Sequence, residues 1–125
     1  MTPSLDAVAP LAADRFTIAL TAPRTLSFAG EISGRDPVSE FGPHLRTVHD
    51  AAAGGGELTV DVTALTFVNS SGLRLFLDWV GWIAAEPEAR RYRLRVRTRR
   101  DVTWQRASFP AIAMLGGANV TLDPV

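Results

Sequence analysis

The residues best suited to chemistry stand together at Asn69-Ser70-Ser71-Gly72. Adjacent hydroxyls are nucleophiles only beside a base, and otherwise they are helix caps or phosphate acceptors. A serine hydrolase needs a strained elbow, a histidine base and an acid that orients it. This stretch does not match G-x-S-x-G, and no sequence feature places His44 or His49, the only two histidines, next to it. The reading is therefore of a protein that is not an enzyme. The absence of cysteine excludes thiol catalysis and disulfides. His44 and His49 are five residues apart, not an i, i+4 pair, and are expected as exposed side chains on a helix rather than metal ligands. No G-x-G-x-x-G or G-x-x-x-x-G-K-[ST] loop is present, and Gly54-Gly55-Gly56 follows a helix and precedes a strand, the wrong order for a phosphate cradle. No cofactor and no metal are expected.

The serine turn must be held by its neighbours. Leu58, Val60 and Val62 alternate with Thr59 and Asp61, a period-two strand. Beyond the turn, Leu73, Phe76, Leu77, Val80 and Ile83 or Ala84 repeat at helical spacing, which predicts a core-facing stripe. Leu75, Trp79 and Trp82 form a second stripe, a docking surface if exposed and ordinary core if covered. Between strand and helix, Asn69 or Ser70 caps the helix by accepting an orphan N–H. A phosphate on a serine there would meet free N–H groups and the positive end of the helix dipole. It would also bring about −1.5 to −2 charges to a surface shaped for docking.

Around this centre, residues 1–14 carry prolines and alanines without periodicity and read as a loose, flexible lead; residues 15–125 read as the domain. Phe16, Ile18 and Leu20 mark a strand, Ala22-Pro23-Arg24 a turn, and Leu26 and Phe28 a second strand ending near Gly30-Glu31-Ile32. A helix is predicted from about Pro43 to Ala53, with Pro43 in its first turn. Tyr92, Leu94 and Val96 mark another strand, Asp101 to Phe109 a short helix interrupted by Pro110, and Asn119 to Leu122 a last strand. The order β-β-α-β-α-β-α-β with alternating strands predicts a single α/β domain: a mixed sheet with helices packed on one face.

Bulk composition narrows the function classes. With 46% hydrophobic and 21% charged residues the chain is an ordinary globular sequence. No apolar run approaches the roughly 20 residues that span a bilayer, so no membrane insertion is expected. The N-terminus lacks the basic start and apolar centre of an export signal, which points to the cytoplasm. Formal net charge is zero and all thirteen basic residues are arginine, seven of them between Arg90 and Arg100. Arg93, Arg95 and Arg97 fall on one strand face, either to bind an acidic partner or nucleic acid, or to pair with carboxylates such as Asp61 or Glu57 on a neighbouring strand. The second reading is preferred, and no nucleic-acid partner is expected.

The stretch Val60-Asp61-Val62-Thr63-Ala64-Leu65-Thr66-Phe67-Val68-Asn69-Ser70-Ser71-Gly72-Leu73 resembles the STAS domain family, named for sulfate transporters and anti-sigma-factor antagonists. It is similar to that family's strand, "F-x-D-S-S-G-L" turn and helix; Gly30-Glu31-Ile32-Ser33 resembles its "G-E-L-D". The element order agrees from about Phe16 to Leu122. The resemblance implies a STAS-like sheet and a partner-switching regulator that binds an anti-sigma factor acting as a GHKL-type serine kinase. Phosphorylation would fall on Ser70, less favourably Ser71, and a phosphatase would reverse it. The implied partner-binding residues are Asn69, Ser70, Ser71, Gly72, Leu73 and Arg74, joined by Leu75 and Trp79 if the second stripe is exposed. The alternative is an unphosphorylated binding subunit of a membrane transporter or other complex. Two positions depart from the family pattern: Asn69 and Ser33 stand where it carries acids.

Overall fold

Six strands lie in the sheet in the order in which the chain makes them. They are β1 (Leu11–Ala12), β2 (Phe16–Ala22), β3 (Thr25–Ile32), β4 (Glu57–Val68), β5 (Arg93–Thr98) and β6 (Val120–Pro124) in a computed structural model that describes residues 4–125. β1, β2 and β3 run antiparallel, and β3 through β6 run parallel. Each parallel step passes through a helix: α1 (Pro37–Ala52), α2 (Ser70–Ala85) and α3 (Thr103–Gly116). All three crossovers move the same way along the sheet, so a common hand places the helices on one face. There α2 packs between α1 and α3. The α/β domain expected from the alternation is what forms.

The alternation also explains the core. Phe16, Ile18, Leu26, Phe28, Leu58, Val60, Leu94 and Val96 are buried beneath the helices, while Thr17, Ser27, Thr59 and Arg95 point to the open face. In β4 the inward positions slip from Val62 to Leu65 and then to Val68, three residues at a time. The slip comes from two irregularities against β3: Ser27 and Ala29 pair with Asp61 and Ala64, and Gly30 and Glu31 with Leu65 and Phe67. Each inserts one extra residue into β4, bending it and resetting which side faces inward. β5 pairs with β4 only from Glu57 to Asp61.

Four sequence expectations change. The stretch expected as a loose lead contributes to the fold: Leu5 is buried, and Leu11 and Ala12 pair with Ile18 and Thr17; residues 1–3 lie outside the described residues. α1 begins at Pro37, not Pro43, because Asp36 caps it, its side chain accepting from the Ser39 N–H at 3.2 Å. Pro43 then sits inside the helix on its exposed side, where the carbonyl it leaves unpaired faces solvent. The same reasoning carries α3 through Pro110, also exposed, to Gly116. Finally, the buried face of α2 is Gly72, Leu75, Phe76, Trp79, Val80 and Ile83. Leu77, expected in the core, is 39% exposed. A helix flanked by two others buries a wider arc than a single stripe, and the Trp79 ring is what fills it.

Candidate functional site: the serine turn

β4 hands the chain to α2 at Asn69, and three backbone or side-chain bonds fix that point. The Asn69 N–H donates to the Ile32 carbonyl at 2.9 Å, continuing the β3 pairing for one more residue. Its Oδ1 accepts from the Gly72 N–H at 2.7 Å, the N-cap of α2. Its Nδ2 donates to the Gly34 carbonyl at 2.9 Å, which ties the β3–α1 loop to the cap. An aspartate could make the cap but not the last bond, since a carboxylate only accepts. The amide at this position is therefore matched to the loop beside it. Ser33, the other departure from the acidic pattern, lies between Ile32 and Gly34, so both departures meet on one lip.

With the cap assigned to Asn69, Ser70 and Ser71 are the first two residues of α2 and both are exposed. Their N–H groups belong to the helix end that has no intrahelical acceptors. Gly72 lies beneath them, and its lack of a side chain is a packing requirement: a Cβ there would approach Val68 Cγ1 to 2.6 Å and Ile32 Cγ2 to 2.8 Å. Gly30 answers a similar need at the other strand, with φ of 98° and the Arg15 carbonyl oxygen occupying the place where a Cβ would stand.

The charges around the turn are few and mostly engaged. Arg74, on the next turn of α2, is exposed and lies 3.9 Å from Asp78. Asp36 is held below the usual carboxylate range, first by the Ser39 side-chain and backbone hydrogen bonds and to a lesser extent by the Arg74 charge. Phe67, 47% exposed, lies three residues before Ser70 on β4, and Leu77, 39% exposed, lies seven residues after it on α2.

The structure thus brings together Asn69, Ser70, Ser71, Gly72 and Arg74, with Leu73 partly buried beside them. It removes Leu75 and Trp79 from the surface: they are 1% and 0% exposed, so they belong to the core and not to a docking face. Trp79 instead anchors a buried polar chain. Its Nε1–H donates to Tyr92 Oη at 2.7 Å, Tyr92 Oη lies 2.8 Å from His49 Nδ1, and His49 Nε2 lies 3.0 Å from Glu86 Oε1. Every group is satisfied if the tyrosine proton goes to Nδ1 and the imidazole carries its proton on Nε2. Burial raises the Tyr92 pKa, and the His49 hydrogen bond lowers that of Glu86.

His49 is therefore buried and not exposed as the sequence suggested; the signal was its spacing from Leu45, Val48 and Ala52 on the apolar face of α1. His44 is partly covered, and burial lowers its pKa. Among the described residues no group of three or more His, Cys, Asp or Glu could hold a metal ion, and no helix is long and apolar enough to cross a membrane.

A second unforeseen device lies where β4 leaves β5. Gln105, 1% exposed, donates from Nε2 to the carbonyls of Val62 at 2.9 Å and Leu65 at 3.1 Å, and its Oε1 accepts from the Arg99 N–H at 2.7 Å. Trp104 Nε1 donates to the Thr66 carbonyl at 3.0 Å. The first turn of α3 thus replaces a missing strand neighbour. On the open face, Arg95 and Arg97 share Asp123 of β6 at 3.0 and 3.7 Å. The carboxylate partner comes from β6, whereas Asp61 accepts from its neighbour Thr63. No protein-family model, curated protein or solved structure gives a significant match to the chain.

Proposed function

We propose that this protein is a non-catalytic, STAS-like partner-switching regulator in the cytoplasm, switched by phosphorylation of Ser70. The observation that carries this reading is a division of labour at the turn. Asn69 does the capping, so the Ser70 hydroxyl stands exposed at the first residue of α2 with no structural task in the cap. Arg74 and Leu77, one and two turns further along α2, share its helical face and add exposed charged and apolar surface of the kind a protein partner uses. A phosphate added there changes the local charge by about −1.5 to −2, enough to reverse complementarity with a partner fitted to a neutral hydroxyl. A hydrolytic role for the serines has no support: His49 is buried and committed to Tyr92 and Glu86.

The partner would be an anti-sigma factor of the GHKL kinase type, with a phosphatase returning the free hydroxyl. The test is phosphosite mapping of the wild type and Ser70→Ala after incubation with ATP and extract of the native host. Phosphate on Ser70 that is lost in the variant supports the reading. Equal incorporation into the variant overturns the site, and a pull-down from the same extract that recovers transporter subunits in place of a kinase overturns the partner.

A further inference from the structure

Away from the serine turn, α3 and the edge strand β6 enclose a groove of about 420 Å³. Pro110, Leu122 and Pro124 give it apolar lining, Arg99, Arg100 and Arg106 a basic one, and Thr98 and Gln105 complete it. Among the described residues no carboxylate side chain lines it. Arg99 is neutralised by Asp101, with contacts of 3.0 and 2.8 Å, but Arg100 and Arg106 form no ion pair among the described residues. Asp123, the acid nearest along β6, belongs to Arg95 and Arg97 on the open face of the sheet. An apolar lining beside two unpaired guanidinium groups is therefore left without its complement.

The edge itself limits how a ligand could sit. The Val125 N–H donates inward to the Thr98 carbonyl, so by alternation the N–H groups of Thr121 and Asp123 also face β5, and those of Leu122 and residue 124 face out. Residue 124 is proline and has no N–H to offer. A seventh strand would find one complete residue, Leu122, to pair with. Side chains, not main chain, must do the binding. The groove also lacks an aromatic ring on which a nucleobase could stack.

We infer that this groove docks an acidic segment of a partner protein, with an aliphatic side chain seated on Pro110, Leu122 and Pro124 and flanking carboxylates on Arg100 and Arg106. The surface is independent of Ser70, and its failure would leave the phosphorylation reading untouched.

The experiment is fluorescence anisotropy of the full chain with a labelled peptide of glutamates interrupted by leucines, alongside a leucine-to-serine and a glutamate-to-lysine version. Expected are binding of the first peptide only, weakening with salt as exposed charges are screened, and a loss of roughly tenfold or more in the double variant Arg100→Glu, Arg106→Glu. Circular dichroism checks that the variant is folded, and Leu122→Ser, which leaves the arginine charges in place, should weaken binding as well. The proposal is overturned if the acidic peptide does not bind, if the serine version binds equally, or if the charge reversal has no effect. It is overturned too if a single-stranded oligonucleotide or a simple fatty acid competes more strongly, or if sedimentation shows a second copy of the chain covering the groove.

Discussion

The side-chain Nδ2 of Asn69 donates to the carbonyl of Gly34 over 2.9 Å, joining the cap of α2 to the loop that leads into α1. Asn69→Asp keeps the cap and turns this bond into a carboxylate facing a carbonyl. The expected cost is about 1–2 kcal/mol, read from urea unfolding. Asn69→Ala loses cap and tether together and should cost more. If the aspartate variant were as stable as the wild type, the tether would be of no consequence.

Ser70→Ala and Gly72→Ala should part company although they are two residues apart. The serine side chain is exposed and outside the cap, so its loss should change stability by less than about 0.5 kcal/mol. The methyl group at Gly72 would have to displace Val68 or Ile32, at about 1–3 kcal/mol. Thermal unfolding of the pair measures the contrast, and it is what makes Ser70→Ala a clean probe of phosphorylation.

Tyr92→Phe removes one oxygen and strands two partners, the Trp79 N–H and His49 Nδ1. A buried unpaired donor or acceptor costs about 1–3 kcal/mol, so a loss of several kcal/mol is expected by chemical denaturation. A near-neutral result would mean that the chain of bonds is not formed in solution.

Acid should act through Glu86. Its folded pKa is below the ordinary glutamate value, chiefly because of the hydrogen bond with His49, so the unfolded chain takes up the proton first as pH falls. The stabilisation is present above about pH 4.3 and is lost as pH drops through the depressed folded value. Asp36 and Asp101, also lowered, add slopes of the same sign. Urea midpoints across this range should fall less steeply in Glu86→Gln than in the wild type.

How much of this is legible in sequence depends on the range of the interactions. The strand, turn and helix from Leu58 to Ile83 are readable because alternation, capping and helical spacing are local. The face of α2 is misread because burial of Trp79 is decided by Tyr92 and by helices on both flanks. His49 sits at an apolar spacing, yet its partners are 37 and 43 residues away. The start of α1 is available in Asp36-Pro37 and is obscured by the second proline. Gln105 carries no local mark at all, since its role exists only because β5 stops pairing with β4 at Asp61. At the site, the exposed hydroxyl follows from the motif, but the match between Asn69 and Gly34 required the loop in place.

The hold of Gln105 and Trp104 on β4 has a consequence for local opening. If the first turn of α3 unwinds, the carbonyls of Val62, Leu65 and Thr66 lose their partners at once. β4 thus has two parts: Thr59 to Asp61, paired with a strand on each side, and Val62 to Val68, paired with β3 alone and held on its other side by the first turn of α3. Native-state hydrogen exchange should show these two halves protected to different degrees, with Gln105→Leu lowering protection in the second half alone. Ser70 follows that second half, so the strand that leads to its hydroxyl is held on one side by a helix that begins thirty-three residues further along the chain.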